Sequence, residues 1–290
     1  MSMLGTRPIQ RSRAATAVAA IAVLLGTTLV GCSPTPAPPS SRCSTDALVL
    51  TCPHNSTTLV AAGEARVVHW QVPHGTPPTG GWPVAIMFQG TLATAALSWT
   101  ASPLEPFGAY YQTQVVQGLL DNGFAVLTPE THLAGLTFWD TNNPLVPDYY
   151  QSNDHALMLT IFDRLADGTF GAVNPARLFA TGISSGGYMT SRMAVSYPGR
   201  FKALAIQSAS YATCAGPLCS IGPIPADHPP TLFLHGNLDP VVPVGTMWAY
   251  AGALNAAGRP TRVVVDPLSL HRWIPQAPGE VVNWFRTYNS

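Results

Sequence analysis

Ser184 stands in the run Gly182-Ile183-Ser184-Ser185-Gly186, a Gly-x-Ser-x-Gly spacing that suits a serine used as a nucleophile. In such a turn the serine backbone is strained, and the residues two before and two after it approach each other, so both must be small. Gly182 and Gly186 meet that condition for Ser184, whereas the same offsets from Ser185 hold Ile183 and Gly187, and the bulky isoleucine excludes it. A serine hydroxyl becomes an effective nucleophile when a histidine takes its proton and a carboxylate fixes that histidine's tautomer. In the order serine, acid, histidine the chain offers Asp239, within His235-Gly236-Asn237-Leu238-Asp239-Pro240-Val241-Val242-Pro243, and then His271. Asp266 is the rival acid, but it sits at the end of a candidate strand close before His271 and reads as a cap. Asp227 reads as a loop residue and His235 as a buried structural histidine at a strand end. The oxyanion of a tetrahedral intermediate needs two amide donors, expected from Ser185 and from Gly90 or Thr91 in the run Gln89-Gly90-Thr91. The chemistry this constellation suits is acyl transfer, in the form of ester hydrolysis.

These groups need a scaffold, and the chain alternates short apolar runs with longer helical patterns from about Glu64 onward. Candidate strands are 65–72, 83–88, 123–127, 177–181, 203–207, 231–235 and 261–265. Ser184 follows one of these and opens a helical pattern through Tyr188, Met189, Arg192 and Met193, the strand-turn-helix context of a nucleophile elbow. A second helix is expected after the capping run Ser152-Asn153-Asp154, ending at Asp167-Gly168, a third before Gly258, and a last one over 279–288. The stretches 91–107 and 131–150 lack periodicity and read as loops above the sheet. The expected fold is an α/β-hydrolase: a mostly parallel central sheet with helices on both faces.

The N-terminus reads as an export signal over residues 1–31, with Arg7, Arg11 and Arg13 preceding an apolar run from Ala14 to Val30. Leu29-Val30-Gly31-Cys32 matches a bacterial lipobox, in which Cys32 would receive a lipid. Ordinary signal cleavage nearby is the alternative. Residues 32–42 form a Pro/Ser-rich tether, and 43–290 are expected to form a single catalytic domain. Without the leader, 11 basic residues face 14 acidic ones, a net charge of about −3 that offers no basic footprint for nucleic acid. Cys43, Cys52, Cys214 and Cys219 allow three connectivities, of which the local pairs Cys43 with Cys52 and Cys214 with Cys219 are favoured in an oxidising compartment. Neither pair has the spacing of a zinc knuckle, so no metal site is expected.

Gly-Ile-Ser-Ser-Gly-Gly followed by Tyr188-Met189-Thr190, together with the run Phe233-Leu234-His235-Gly236 to Asp239 and Pro243, resembles extracellular medium-chain-length polyhydroxyalkanoate depolymerases. The resemblance spans roughly Val84 to the C-terminus and assigns the same triad, Ser184, Asp239 and His271. It implies hydrolysis of a water-insoluble polyester without any cofactor. It also implies the lack of a separate adsorption module, so polymer contact would fall to apolar side chains such as Trp99, Phe107, Trp139, Tyr149, Tyr150 and Trp273, with ordinary core packing the alternative for each. The histidine context Leu270-His271-Arg272-Trp273 departs from the Gly-His-x-Trp of short-chain depolymerases and of feruloyl and acetylxylan esterases. A carbohydrate-ester or general carboxylesterase stays open as an alternative. A surface lipoprotein that binds without catalysis is the third reading, although a binding module has no need of the ordered triad.

Overall fold

A computed structural model describes residues 38–132, 138–143, 145–214 and 219–290. The leader and Cys32 lie outside them. Eight strands form the main sheet: β3 (Asn55–Ala61), β4 (Glu64–Gln71), β5 (Trp82–Phe88), β7 (Ala125–Pro129), β8 (Val173–Ile183), β9 (Phe201–Gln207), β10 (Thr231–Gly236) and β11 (Thr261–Asp266), in the spatial order β11-β10-β9-β8-β5-β7-β4-β3. From β11 to β7 neighbouring strands run parallel; β4 turns antiparallel against β7, and β3 antiparallel against β4. This is the mostly parallel sheet expected. The hairpin strand β3 escapes the sequence pattern because Asn55-Ser56-Thr57-Thr58 shows no apolar alternation and most of the strand faces solvent. A small sheet of β1 (Ser44–Asp46), β2 (Val49–Thr51) and β6 (Thr100–Ala101) was likewise not legible.

The central strands show why helices cover both faces. Along β5, Val84, Ile86 and Phe88 join one core and Ala85 and Met87 the other, since successive side chains of a strand point to opposite faces. The first core receives α2 (Asn153–Ala166) and α3 (Ser185–Ser196) through Leu157, Ile161, Met189 and Met193. The second receives α1 (Ala109–Asp121) and α5 (Ala277–Thr287) through Val115, Leu119, Val281 and Phe285. Helix α4 (Val244–Ala256) buries Met247, Tyr250, Ala251 and Leu254 against Phe233 and Ile206. At the start of α2 the Ser152 hydroxyl accepts from the His155 amide at 3.0 Å, a side-chain N-cap. Both disulfides join local pairs, Cys43 with Cys52 and Cys214 with Cys219.

Candidate active site

Ser184 ends β8 and caps α3 with φ 55° and ψ −124°, a conformation rare for any residue with a side chain. The surroundings enforce it. The Ser184 amide donates to the Gln207 carbonyl of β9 at 3.0 Å, and the Ser184 carbonyl accepts from Tyr188 at 2.9 Å, so the turn is fastened on both sides. A Cβ on Gly182 would lie 2.5 Å from the Gly186 carbonyl oxygen, and one on Gly186 would collide with the backbone of Phe88, which explains both glycines by close approach. Helix α3 begins behind the serine, so its positive dipole end faces the same space.

Asp239 and His271 arrive on the loops after β10 and β11. His271 Nδ1 lies 2.8 Å from Asp239 Oδ2, while Asp239 Oδ1 accepts the amides of Val241 and Val242, each at 2.9 Å. Burial alone would raise the Asp239 carboxyl, but hydrogen bonds from His235, His271 and the Val242 amide outweigh it and hold it well below the usual carboxylate range. His235 contributes more than the sequence suggested. Fully buried, its Nε2 faces two acceptors, the Val242 carbonyl at 3.0 Å and Asp239 Oδ2 at 3.3 Å, so Nε2 carries the proton and donates to both. The signal was present as the four-residue spacing within His235-Gly236-Asn237-Leu238-Asp239. Asp266 instead accepts the amides of Leu268 and Ser269 and the Gln276 side chain, as a turn cap does.

Ser184 and His271 line one cavity of about 120 Å³, with Gly90, Thr91, Leu97, Phe107 and Trp273 among its walls. Gly90 packs beside the serine: a Cβ there would lie 3.6 Å from Ser184 Cβ. One buried residue fastens both expected oxyanion segments. The Trp139 amide donates to Ser185 Oγ at 2.8 Å and its indole donates to the Gln89 carbonyl at 3.1 Å, while the Gln89 side chain donates to the Ala93 carbonyl, Glu130 and Thr131. Phe107 forms another wall with a left-handed backbone of φ 54°; its carbonyl accepts from the Trp273 amide at 2.9 Å and its ring meets His271 edge-on. Strain at an exposed aromatic beside the histidine is the kind retained at working sites.

The expected aromatic contact surface needs correction. Trp99, Trp139 and Trp273 are fully buried and Tyr149 nearly so, because each ring is large enough to anchor a loop against the sheet. Trp99 donates its indole to Thr128 Oγ1 at 2.7 Å, Trp139 holds the segments just described, and Trp273 packs in the second core and forms a wall of the cavity. Phe107 and Tyr150 remain exposed. Behind Trp139, Asp154 accepts the Asp140 amide and pairs with buried Arg66, and His132 bridges Glu64 and Asp140 at 2.9 Å each. His132, Asp140 and Asp154 bring ligand atoms within 4.8 Å of one another, a spacing that could hold a cation, and the Arg66 guanidinium already sits among them as the counter-charge.

The chain is 45% identical over 276 residues to a poly(3-hydroxyoctanoate) depolymerase of Pseudomonas fluorescens, an alignment covering 92% of this chain and 98% of that one. The chain belongs to the poly(3-hydroxyoctanoate) depolymerase family. A feruloyl esterase B of Thermothelomyces thermophilus is 35% identical over 104 residues, 36% of this chain and 34% of that protein. No protein-family model matches the chain. Among solved structures, a dienelactone hydrolase from Klebsiella pneumoniae overlays with a TM-score of 0.55 at 18% identity, over 81% of this chain and 99% of that one. A cold-adapted esterase from an Arctic intertidal metagenomic library overlays at 0.55 with 14% identity, over 86% and 98%. At those identities the overlays establish the fold, an α/β-hydrolase, and the family comes from the depolymerase.

Proposed function

We propose that this protein is a serine esterase that hydrolyses a medium-chain-length polyhydroxyalkanoate through an acyl-enzyme on Ser184. The observation that carries the proposal is that Ser184 and His271 open onto one apolar cavity while Asp239 holds the far side of the imidazole. The Asp239 hydrogen bond keeps the proton on His271 Nδ1, so Nε2 is free to take the Ser184 proton as Oγ attacks the ester carbonyl. The oxyanion is received by the amides of Ser185 and of Thr91 or Gly90, each such donor contributing about 2.7–4 kcal/mol of transition-state stabilisation. Protonated His271 passes its proton to the departing 3-hydroxyl oxygen. Water, activated by the same imidazole, then attacks the acyl-enzyme and restores Ser184.

A polymer surface is too large to enter the cavity, so adhesion falls to the rim. Leu92, Leu104, Phe107, Leu238, Leu268 and Leu270 are all at least half exposed, and all lie on the loops that carry the cavity walls, Asp239 and His271. This rim is largely aliphatic, suited to the alkyl-covered face of such a polyester. Export and attachment through a lipid on Cys32 would display the site at the cell surface, on a tether shorter than the expected 32–42, because Ser40 pairs with His74 and the buried Ser41 donates its amide to Asp121 at 2.6 Å. Cys32→Ala should then move activity from the membrane fraction to the medium; enzyme found wholly in the medium before the change would contradict the anchor.

The test of substrate is the clearing of latex. Poly(3-hydroxyoctanoate) should clear fastest, poly(3-hydroxybutyrate) slowly, and acetylxylan should release little acetate. Activity confined to xylan or feruloyl esters would favour the second reading, to which the partial likeness to a feruloyl esterase points.

A further inference from the structure

Arg192 of α3 is a buried cation without an anion, with only 8% of its surface exposed. Its Nε donates to Thr141 Oγ1 at 3.0 Å and its Nη2 to the Thr141 carbonyl, while the guanidinium lies 5.0 Å from the centre of the Tyr149 ring. Nη1 takes no partner among the described residues. Every Asp and Glu of the chain falls among those residues, and none of them pairs with Arg192. Burial pushes the guanidinium below its ordinary value, and the neighbours that favour its charge are phenols, Tyr149, Tyr211, Tyr150 and Tyr197. A desolvated charge without a counter-ion is costly to the fold, so an anion arriving from outside gains strongly from meeting it.

Such an anion has a place to bind. Arg192 lines a groove of about 370 Å³ together with Val146, Pro147, Asp148, Tyr149 and Tyr150, and the groove shares no lining residue with the cavity of Ser184 and His271. The two Nη atoms still present unengaged N–H groups along one edge, the fork that a carboxylate accepts in two parallel bonds. Asp148, the one carboxylate among the described lining residues, accepts the Tyr150 amide at 3.0 Å. Val146, Pro147 and the half-exposed Tyr150 offer apolar contact beside the charge. We propose that this groove is a second ligand site of the enzyme, binding the carboxylate of a medium-chain 3-hydroxy acid on Arg192 with its alkyl chain along Val146 and Tyr150. The choice of ligand rests on the polyester reading, because each ester cleavage there releases one such carboxylate.

The test keeps the catalytic cavity filled. Enzyme capped with a p-nitrophenyl octylphosphonate is titrated calorimetrically with 3-hydroxyoctanoate, with the uncharged 1,3-octanediol and with inorganic phosphate. The hydroxy acid should bind, the diol about tenfold more weakly or worse, and added salt should weaken the binding of the acid. Arg192→Gln should lose about tenfold or more in affinity. Asp148→Asn keeps an oxygen for the Tyr150 amide but removes the negative charge from the groove, so it should tighten binding about threefold. Asp148 is exposed, so this variant serves even if Arg192→Gln does not fold. No binding of the hydroxy acid, equal binding of the diol, or an affinity unmoved in each variant that folds would overturn the site. Phosphate bound as tightly as the hydroxy acid would overturn its assignment to a carboxylate bearing a chain. Binding that holds in an enzyme that clears no polyester would uphold the site and defeat the polyester reading.

Discussion

Trp139 and His235 each act on the site through another residue, and each gives a prediction at the residue scale. Trp139→Phe keeps the buried ring but removes the indole donor to the Gln89 carbonyl. Loosening the proposed oxyanion segment should lower kcat for p-nitrophenyl octanoate by about 10- to 100-fold, with KM nearly unchanged, since sub-ångström misplacement acts on the transition state. An unchanged kcat would show that the Gln89 carbonyl needs no such tie. His235→Leu leaves Asp239 Oδ2 to His271 alone. The carboxylate then stabilises the imidazolium more strongly, so the acid limb of the kcat/KM profile should move to higher pH, and His235→Gln, which restores a donor, should return it. An identical profile in all three enzymes would reduce His235 to packing. The contact of Asp239 with His271, and the cavity that His271 shares with Ser184, were legible because the proposed chemistry demands specific residue types in a specific succession. For Trp99, Trp139 and Trp273 the sequence left packing and substrate contact both open, because the two kinds of aromatic look alike until the partner loop is known, and burial decides for packing.

The elements that present these groups follow local rules, with exceptions that have physical causes. Strand β8 and helix α3 were readable because an apolar run meets the two glycines that a tight turn requires. The start of α2 was readable from its cap, and that cap can be weighed: Ser152→Ala should lower the stability of the protein by about 1 kcal/mol, seen as a lower urea midpoint with an unchanged slope. An unshifted midpoint would mean that water replaces the hydroxyl without loss. Strand β3 and the small sheet of β1, β2 and β6 were invisible because their ladders are stabilised by pairing across distance, which single-sequence periodicity does not report.

For the molecule as a whole, acid should be destabilising in a window set by a residue remote from the triad. His228 is buried against Tyr250, and desolvation lowers its pKa from the ordinary 6.5 to about 4, despite the hydrogen bond to the Pro229 carbonyl. Between those values the unfolded chain binds a proton that the folded one does not, so stability falls as pH drops from 6.5 toward 4, by about 3 kcal/mol in all. Asp239, held low, adds its own loss only below the ordinary carboxylate range. Urea unfolding at pH 7 and pH 4.5 should show the decline, and His228→Gln should flatten it; an equal decline in the variant would assign it elsewhere. The central claim, that Ser184 attacks the polyester, is tested most directly by treating the enzyme with a p-nitrophenyl octylphosphonate, mapping the adduct by peptide mass spectrometry, and following latex clearing in the same sample. A single adduct on Ser184 accompanied by loss of poly(3-hydroxyoctanoate) clearing is the expected result. An adduct on Ser185 or another residue, or clearing that survives full modification of Ser184, would contradict the account.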